Sequence, residues 1–190
     1  MLRVLIVAHA HPAFSKGGAE LAAYHLFEQL RHRHDCDAWF IACHQEPGFS
    51  RPGAAFALRD QNQREILYDQ GSDYFDFSAS KLRYLAYDLA ALLREIRPDV
   101  VHFHHYVNIG VETLRVARNE LPNAKILLTL HEFLAICNRQ GQMLKSDGRL
   151  CSRASPQDCH RCMPERPAPD YFLRERYIKS LFSAVDRFIS

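Results

Sequence analysis

Four continuous apolar runs alternate along this chain with amphipathic stretches, and the alternation restricts the folds open to it. The runs are residues 3–8, 37–43, 99–104 and 125–130. Strands buried on both faces have this unbroken apolar character, whereas a strand with one wet face alternates. Helical spacing places Leu21, Tyr24, Phe27 and Leu30 on one face of residues 18–31. It does the same for Leu82, Leu85, Leu89, Leu92 and Ile96 in residues 80–97, where Pro98 stops the helix. Residues 111–121 carry Val111, Leu114, Ala117 and Leu121, and Pro122 follows. A last helix, with Asp170 as its N-cap, carries Ile178, Leu181 and Val185. Strand–helix alternation implies right-handed crossovers and an α/β fold: a Rossmann-like, doubly wound parallel sheet flanked by helices. A short strand at residues 187–189 begins just as the chain stops, an ending expected of a sequence cut at a domain boundary.

The strands run into histidines at their carboxyl ends: His9 and His11, His44, His104 and His105, and His131. In an open parallel sheet that edge lines the crevice where ligands bind. A row of imidazoles there marks a candidate cleft, although any one of them can equally cap a strand or fill a polar corner. The first strand leads to Lys16-Gly17-Gly18-Ala19-Glu20, a glycine pair opening a helix. It is neither the three-glycine dinucleotide fingerprint nor a Walker loop. Absent side chains and free N–H groups at a helix start suit an anion such as a diphosphate, and a tight turn with no ligand uses the same residues.

Two stretches break the alternation. Within residues 44–80, residues 64–68 and 74–77 flank Gln70-Gly71-Ser72 as the arms of an expected hairpin. Residues 137–169 form a Cys-rich irregular insertion with Cys137, Cys151, Cys159 and Cys162, the last two as a CxxC. Four thiolates suit tetrahedral zinc, and a polar loop without a core profits from a structural zinc staple. The thirteen, seven and two intervening residues are not a zinc-ribbon spacing. Free or disulfide-capable thiols and an iron–sulfur cluster therefore stay open beside zinc. Cys36 and Cys43 read as buried core thiols.

With 190 residues, the chain reads as one domain, residues 1–190. The net charge of +2, with Lys and Arg scattered, gives no basic stripe for nucleic acid. The first apolar run is too short for a signal-peptide core, and nothing reaches the length of a membrane span. The expectation is a cytoplasmic protein. Any membrane contact would be peripheral, at the inner face, through a weak basic surface around Arg174, Arg176 and Lys179, which also reads as a solvated helix face.

HPAFSKGGAE after the first strand, then RPDVVHFHH, AKILLTLHE and AVDRFIS, in this order, resemble the amino-terminal half of a GT-B glycosyltransferase of family 4. The resemblance spans nearly the whole chain. It implies a retaining enzyme of the hexosyltransferase type, moving a sugar from a nucleotide sugar to a saccharide or lipid-linked acceptor, with no catalytic metal. It places Gly17 and Gly18 beside the donor diphosphate and His131 at the reaction centre. His11, Glu20, His104, His105 and Glu132 would hold acceptor or sugar, and Phe14, Tyr106 and Phe133 read either as apolar walls for a sugar ring or as core. The family's carboxyl-terminal, nucleotide-binding domain is missing from this sequence, so the resemblance implies that the chain alone is inactive. Two rival readings come from other classes. One is a zinc-dependent hydrolase or deacetylase using the HxH pairs His9/His11 and His102/His104, although no acidic pair follows His11. The other is a non-catalytic, metal-stapled binding module.

Overall fold

From Val4 onward every side chain of β1 (Leu2–Ala8) is buried, and they divide between two cores. Leu5 and Val7 enter one cluster, whereas Val4, Ile6 and Ala8 enter the other. Successive strand residues point to opposite faces, so a run apolar at every position needs helices on both sides. One cover is α1 (Gly18–Arg31), whose Ala23 and Phe27 close the smaller core. The other is built from α2 (Leu82–Ile96), α3 (Thr113–Glu120) and α5 (Ala168–Phe182), which supply Leu89, Leu114 and Ile178 to the larger core. The computed structural model describes residues 1–44, 53–59, 64–69, 72–79 and 82–189.

The remaining strands are β2 (Cys36–His44), β3 (Phe56–Leu58), β4 (Glu65–Asp69), β5 (Val100–Phe103), β6 (Lys125–Thr129) and β7 (Arg187–Ile189). The sheet order is β3-β4-β2-β1-β5-β6-β7, and every pairing is parallel except β3 with β4. The chain winds outward from β1 through β2 to β4, returns across the sheet to β5, and winds outward again. This is the doubly wound, Rossmann-like α/β architecture expected from the apolar runs. Its winding reverses between β1 and β5, and ligands of such sheets bind in the crevice outside the strand ends at that point.

Three local expectations need correction. The hairpin is not formed: only its first arm becomes a strand, β4, and residues 74–76 are a turn. The Asp73 carboxylate accepts the Phe75 N–H at 2.6 Å and holds that turn, while β4 finds its antiparallel partner in β3. Gln70 and Gly71 lie outside the described residues, as does Ser80 at the expected start of α2. Next, α5 starts before Asp170, with Pro167 as N-cap and Pro169 in its first turn. Proline is tolerated there because its missing N–H would have no intrahelical acceptor. Lastly, Arg174 does not belong to a basic surface. It is buried, its guanidinium donates to the carbonyls of Phe75 at 2.5 Å and Leu134 at 3.0 Å, and Lys179 pairs with Glu175. Among the described residues no helix is long and apolar enough to cross a membrane.

A further helix, α4 (Pro156–Cys162), lies inside the cysteine-rich stretch. Proline opens it, and the Ser155 hydroxyl accepts the Asp158 N–H at 3.2 Å. It buries no residue, so it has a cap signal and no apolar face.

Candidate functional site

The ends of β1, β5 and β6 and the start of α1 surround a cleft of about 540 Å³. His9 enters it just past β1, His105 past β5, and His131 and Glu132 past β6; Gly18 and Glu20 come from the first turn of α1. The cleft therefore sits at the reversal point of the sheet. Tyr74, Val107 and Leu134 complete the wall. A second groove of about 470 Å³ lies at the opposite edge, between Arg97, Asp99 and Glu120.

The imidazoles form a connected layer. The backbone N–H groups of Tyr106 and Val107 both donate to Nδ1 of His105, at 3.0 and 3.1 Å. Nδ1 is therefore the bare nitrogen, and Nε2 carries the proton and donates it to Glu132 Oε1 at 2.5 Å. That bond, more than any other influence, holds the Glu132 carboxyl below the usual range. His9 packs on His105 with ring centroids 4.7 Å apart, and its Nε2 lies 3.3 Å from Glu20 Oε1. Burial, and then His105, push its pKa down to about 4. Behind this layer His104 Nδ1 lies 3.3 Å from His131 Nε2, and His102 Nε2 is 2.8 Å from the Thr129 hydroxyl. Burial lowers His104 to about 3 and His102 to about 4. The more exposed His131 is lowered too, chiefly by the part of its ring that is covered.

At neutral pH, then, His9 and His131 face the cleft uncharged. A neutral imidazole offers one donor and one acceptor, which suits a hydroxyl-rich ligand better than two cations would.

The start of α1 adds a different kind of donor. Gly17 is its N-cap without a side-chain cap, so the first N–H groups have no intrahelical acceptor and the positive end of the helix faces the cleft. The two glycines have separate reasons. A Cβ on Gly17 would stand 2.3 Å from Glu20 Oε2, so this glycine lets the carboxyl group fold back over the helix start, where Ser15 Oγ donates to it at 2.9 Å. A Cβ on Gly18 would meet nothing within 4 Å. Its absence keeps open space in front of the N–H groups.

Of the residues singled out in the sequence, Gly18, Glu20, His105, His131 and Glu132 line the cleft together, with Gly17 just behind Glu20 and His104 behind His131. His11 is elsewhere. It is 1% exposed, its Nε2 lies 2.9 Å from Glu65, and its Nδ1 accepts the Ala13 N–H. Burial works against ionisation of Glu65, but hydrogen bonds from His11 and Arg59 outweigh it and lower its pKa. His44 is buried with Nε2 3.3 Å from Asp69. Tyr106 is core, Phe14 packs on His11 and His44, and Phe133 is exposed outside the lining.

His9 and His11 therefore do not converge as metal ligands, and His102 and His104 are buried beneath the cleft. Among the described residues no group of three or more His, Cys, Asp or Glu side chains is arranged to hold a metal ion as it stands. The hydrolase reading loses its ligand pair at His9 and His11. The contributions of Tyr74, Val107 and Leu134 had no signal of their own in the sequence. The cysteines do come together: Cys137, Cys151, Cys159 and Cys162 all face one small cavity. Burial, and then the neighbouring Cys137 and Cys151, push the Cys159 thiol up.

Comparison with known proteins gives three results. The family described as Glycosyltransferase Family 4 matches residues 16–190. A crystal structure of the Bordetella bronchiseptica enzyme WbmH in complex with NAD+ is similar at 14% identity and a TM-score of 0.44, covering 98% of this chain and 54% of that one. This chain thus spans about half the length of that enzyme. No curated protein matches.

Proposed function

The chain belongs to glycosyltransferase family 4, and from that premise we propose that it is the acceptor-side half of a retaining hexosyltransferase. The donor is a nucleotide sugar and the acceptor a saccharide or a lipid-linked saccharide. Residues 1–190 act as one domain, and a carboxyl-terminal domain brings the nucleotide, so the chain alone turns nothing over. The observation that carries this reading is the meeting of uncharged His9 and His131 with the open N-terminus of α1 in one cleft at the sheet's reversal point.

Each part has a task in such a transfer. As the bond from the anomeric carbon to the diphosphate breaks, negative charge grows on the leaving oxygen. The N–H groups of Gly17 and Gly18 and the helix dipole face that charge, and fixed donors need no reorganisation as it develops. His131 hydrogen-bonds a donor hydroxyl or a phosphate oxygen at the reaction centre. His105, with its tautomer fixed, aims the Glu132 carboxylate at acceptor hydroxyls, and Glu20 with His9 does the same from the α1 side. Tyr74 presents an exposed ring at the rim for a sugar face. None of these tasks uses a catalytic metal.

The two glycines test the donor-side role. Gly18→Val adds a side chain into open space, so melting should stay unchanged while kcat/KM for the nucleotide sugar falls about tenfold or more in the full-length gene product. Gly17→Ala must push the Glu20 carboxyl off Ser15 Oγ, so it should lower kcat/KM and also cost up to about 1 kcal/mol of stability. Full activity of Gly18→Val at unchanged KM would remove the diphosphate from this helix start.

A further inference from the structure

The segment between the cleft and α5 lacks what normally holds thirty residues in place. From Asn138 to Asp170 the sole buried residue is Gly141. Ile136 and Leu150 are half or more exposed, and α4 buries nothing. What holds the stretch is a set of local hydrogen bonds. Cys151 N–H donates to Met143 O at 2.7 Å and Lys145 N–H to Arg149 O at 2.8 Å, closing a loop. The Arg139 guanidinium donates to Leu144 O at 3.3 Å and Lys145 O at 2.7 Å inside it. Cys159 N–H donates to Ser155 O at 2.8 Å within α4. Local bonds of this kind do not replace a core.

Two of these bonds fix cysteines, Cys151 and Cys159, and Cys137 and Cys162 face the same cavity. Cys137 lies on a turn after β6, Cys151 at the close of the loop, and Cys159 and Cys162 one turn apart on the same face of α4. All four line one cavity of about 30 Å³, which has room for a single ion or water. We propose that these four thiols are a structural zinc site that pins the segment 137–162 together.

Zinc in such sites takes four thiolates at about 2.3 Å in a tetrahedron. The four cysteines line the cavity without yet meeting at one point: the Cys137 and Cys151 thiols donate to the carbonyls of Arg139 and Arg153, and each thiol turns about its Cα–Cβ bond to reach the ion. Binding converts four S–H groups and Zn²⁺ into a tetrathiolate of net charge −2, with four protons released. Arg139 and Lys145 line the same cavity and offset that charge, with Asp158 as the opposing neighbour. The segment starts three residues after Leu134, which lines the cleft and whose carbonyl is fixed by Arg174. The zinc therefore braces one wall of the candidate site. The site rests on the cysteines and the missing core alone, whatever reaction the cleft performs.

Metal analysis of the chain purified under reducing conditions tests this directly. The expected result is one zinc per chain and four thiols slow to react until a strong chelator is added, with a lower melting temperature after chelation. Exchange for Co²⁺ should give the visible bands of tetrahedral cobalt and thiolate-to-metal charge transfer in the near ultraviolet. Cys159→Ser with Cys162→Ser should lose the zinc. The cobalt spectrum of the unaltered chain keeps the test valid if that variant fails to fold. Zinc below stoichiometry, four freely reactive thiols, disulfides among these cysteines, or iron in place of zinc would each overturn the proposal.

Discussion

Replacing His131 by alanine should cut glycosyl transfer by the full-length gene product by about 10² to 10³-fold and leave its melting curve nearly unchanged. The ring is exposed, and its hydrogen-bond contact is the 3.3 Å approach to His104 Nδ1. Removing an exposed side chain with one such bond costs about 1 kcal/mol or less of stability. The loss in rate has a different origin. A neutral donor placed at the point of charge development stabilises the transition state more than the ground state, so kcat should fall more than KM rises. His131→Gln, which keeps a donor and an acceptor on a longer arm, should recover part of the rate. Unimpaired turnover of the alanine variant would take His131 out of the reaction centre. A large drop in melting temperature would make the residue structural instead.

Acid should unfold this domain earlier than its carboxylates alone would dictate. His9, His102 and His104 have folded-state values of about 4, about 4 and about 3, against about 6.5 in an unfolded chain. Their folded values are lowered, so between those values and pH 6.5 the unfolded chain binds more protons than the folded one. Stability then rises with pH. The contribution is complete above about pH 6.5 and is lost progressively as the pH falls toward 4. At pH 5 each of the three should cost on the order of 1–2 kcal/mol, a large share of the 5–15 kcal/mol typical of a domain. The carboxyls of Glu65 and Glu132, whose values are lowered, act in a separate window at lower pH. Urea unfolding at pH 7 and pH 5 should show a lower unfolding free energy, and so a lower midpoint, at pH 5. In His104→Gln the same interval should show a shallower slope. A flat stability between pH 7 and 5 would mean that these rings are not held neutral.

Much of the fold was legible in the chain because burial on both faces writes itself as unbroken apolar sequence. β1, β2, β5 and β6 lie where the apolar runs are, and α1 begins and ends at the expected residues. β3 was not legible: three residues at a sheet edge, antiparallel to β4, carry too few positions to show a period. α4 hid for the opposite reason, having a cap and no buried face.

The cleft was legible in outline, since histidines at strand ends fall along one edge of any parallel sheet. Which of them face the ligand was not. Strand period would put His9 and His11 on one side, but the strand ends at Ala8. A turn in which Phe14 and Ser15 N–H both donate to His11 O then carries His11 down to Glu65. The signal for that pairing was present, in a glutamate opening the apolar run of β4. Tyr74, Val107 and Leu134 reach the cleft only through tertiary folding of turns, which local sequence does not encode.

The central claim is that the cleft between β1, β5 and β6 receives the donor diphosphate and its sugar. Amide and imidazole NMR spectra of the full-length gene product, titrated with nucleotide sugars, test it most directly. The account predicts shifts confined to the amides of Gly17, Gly18 and Ala19 and to the rings of His9, His105 and His131. Shifts gathered instead around Arg97, Asp99 and Glu120 at the opposite edge, or none at all, would contradict it.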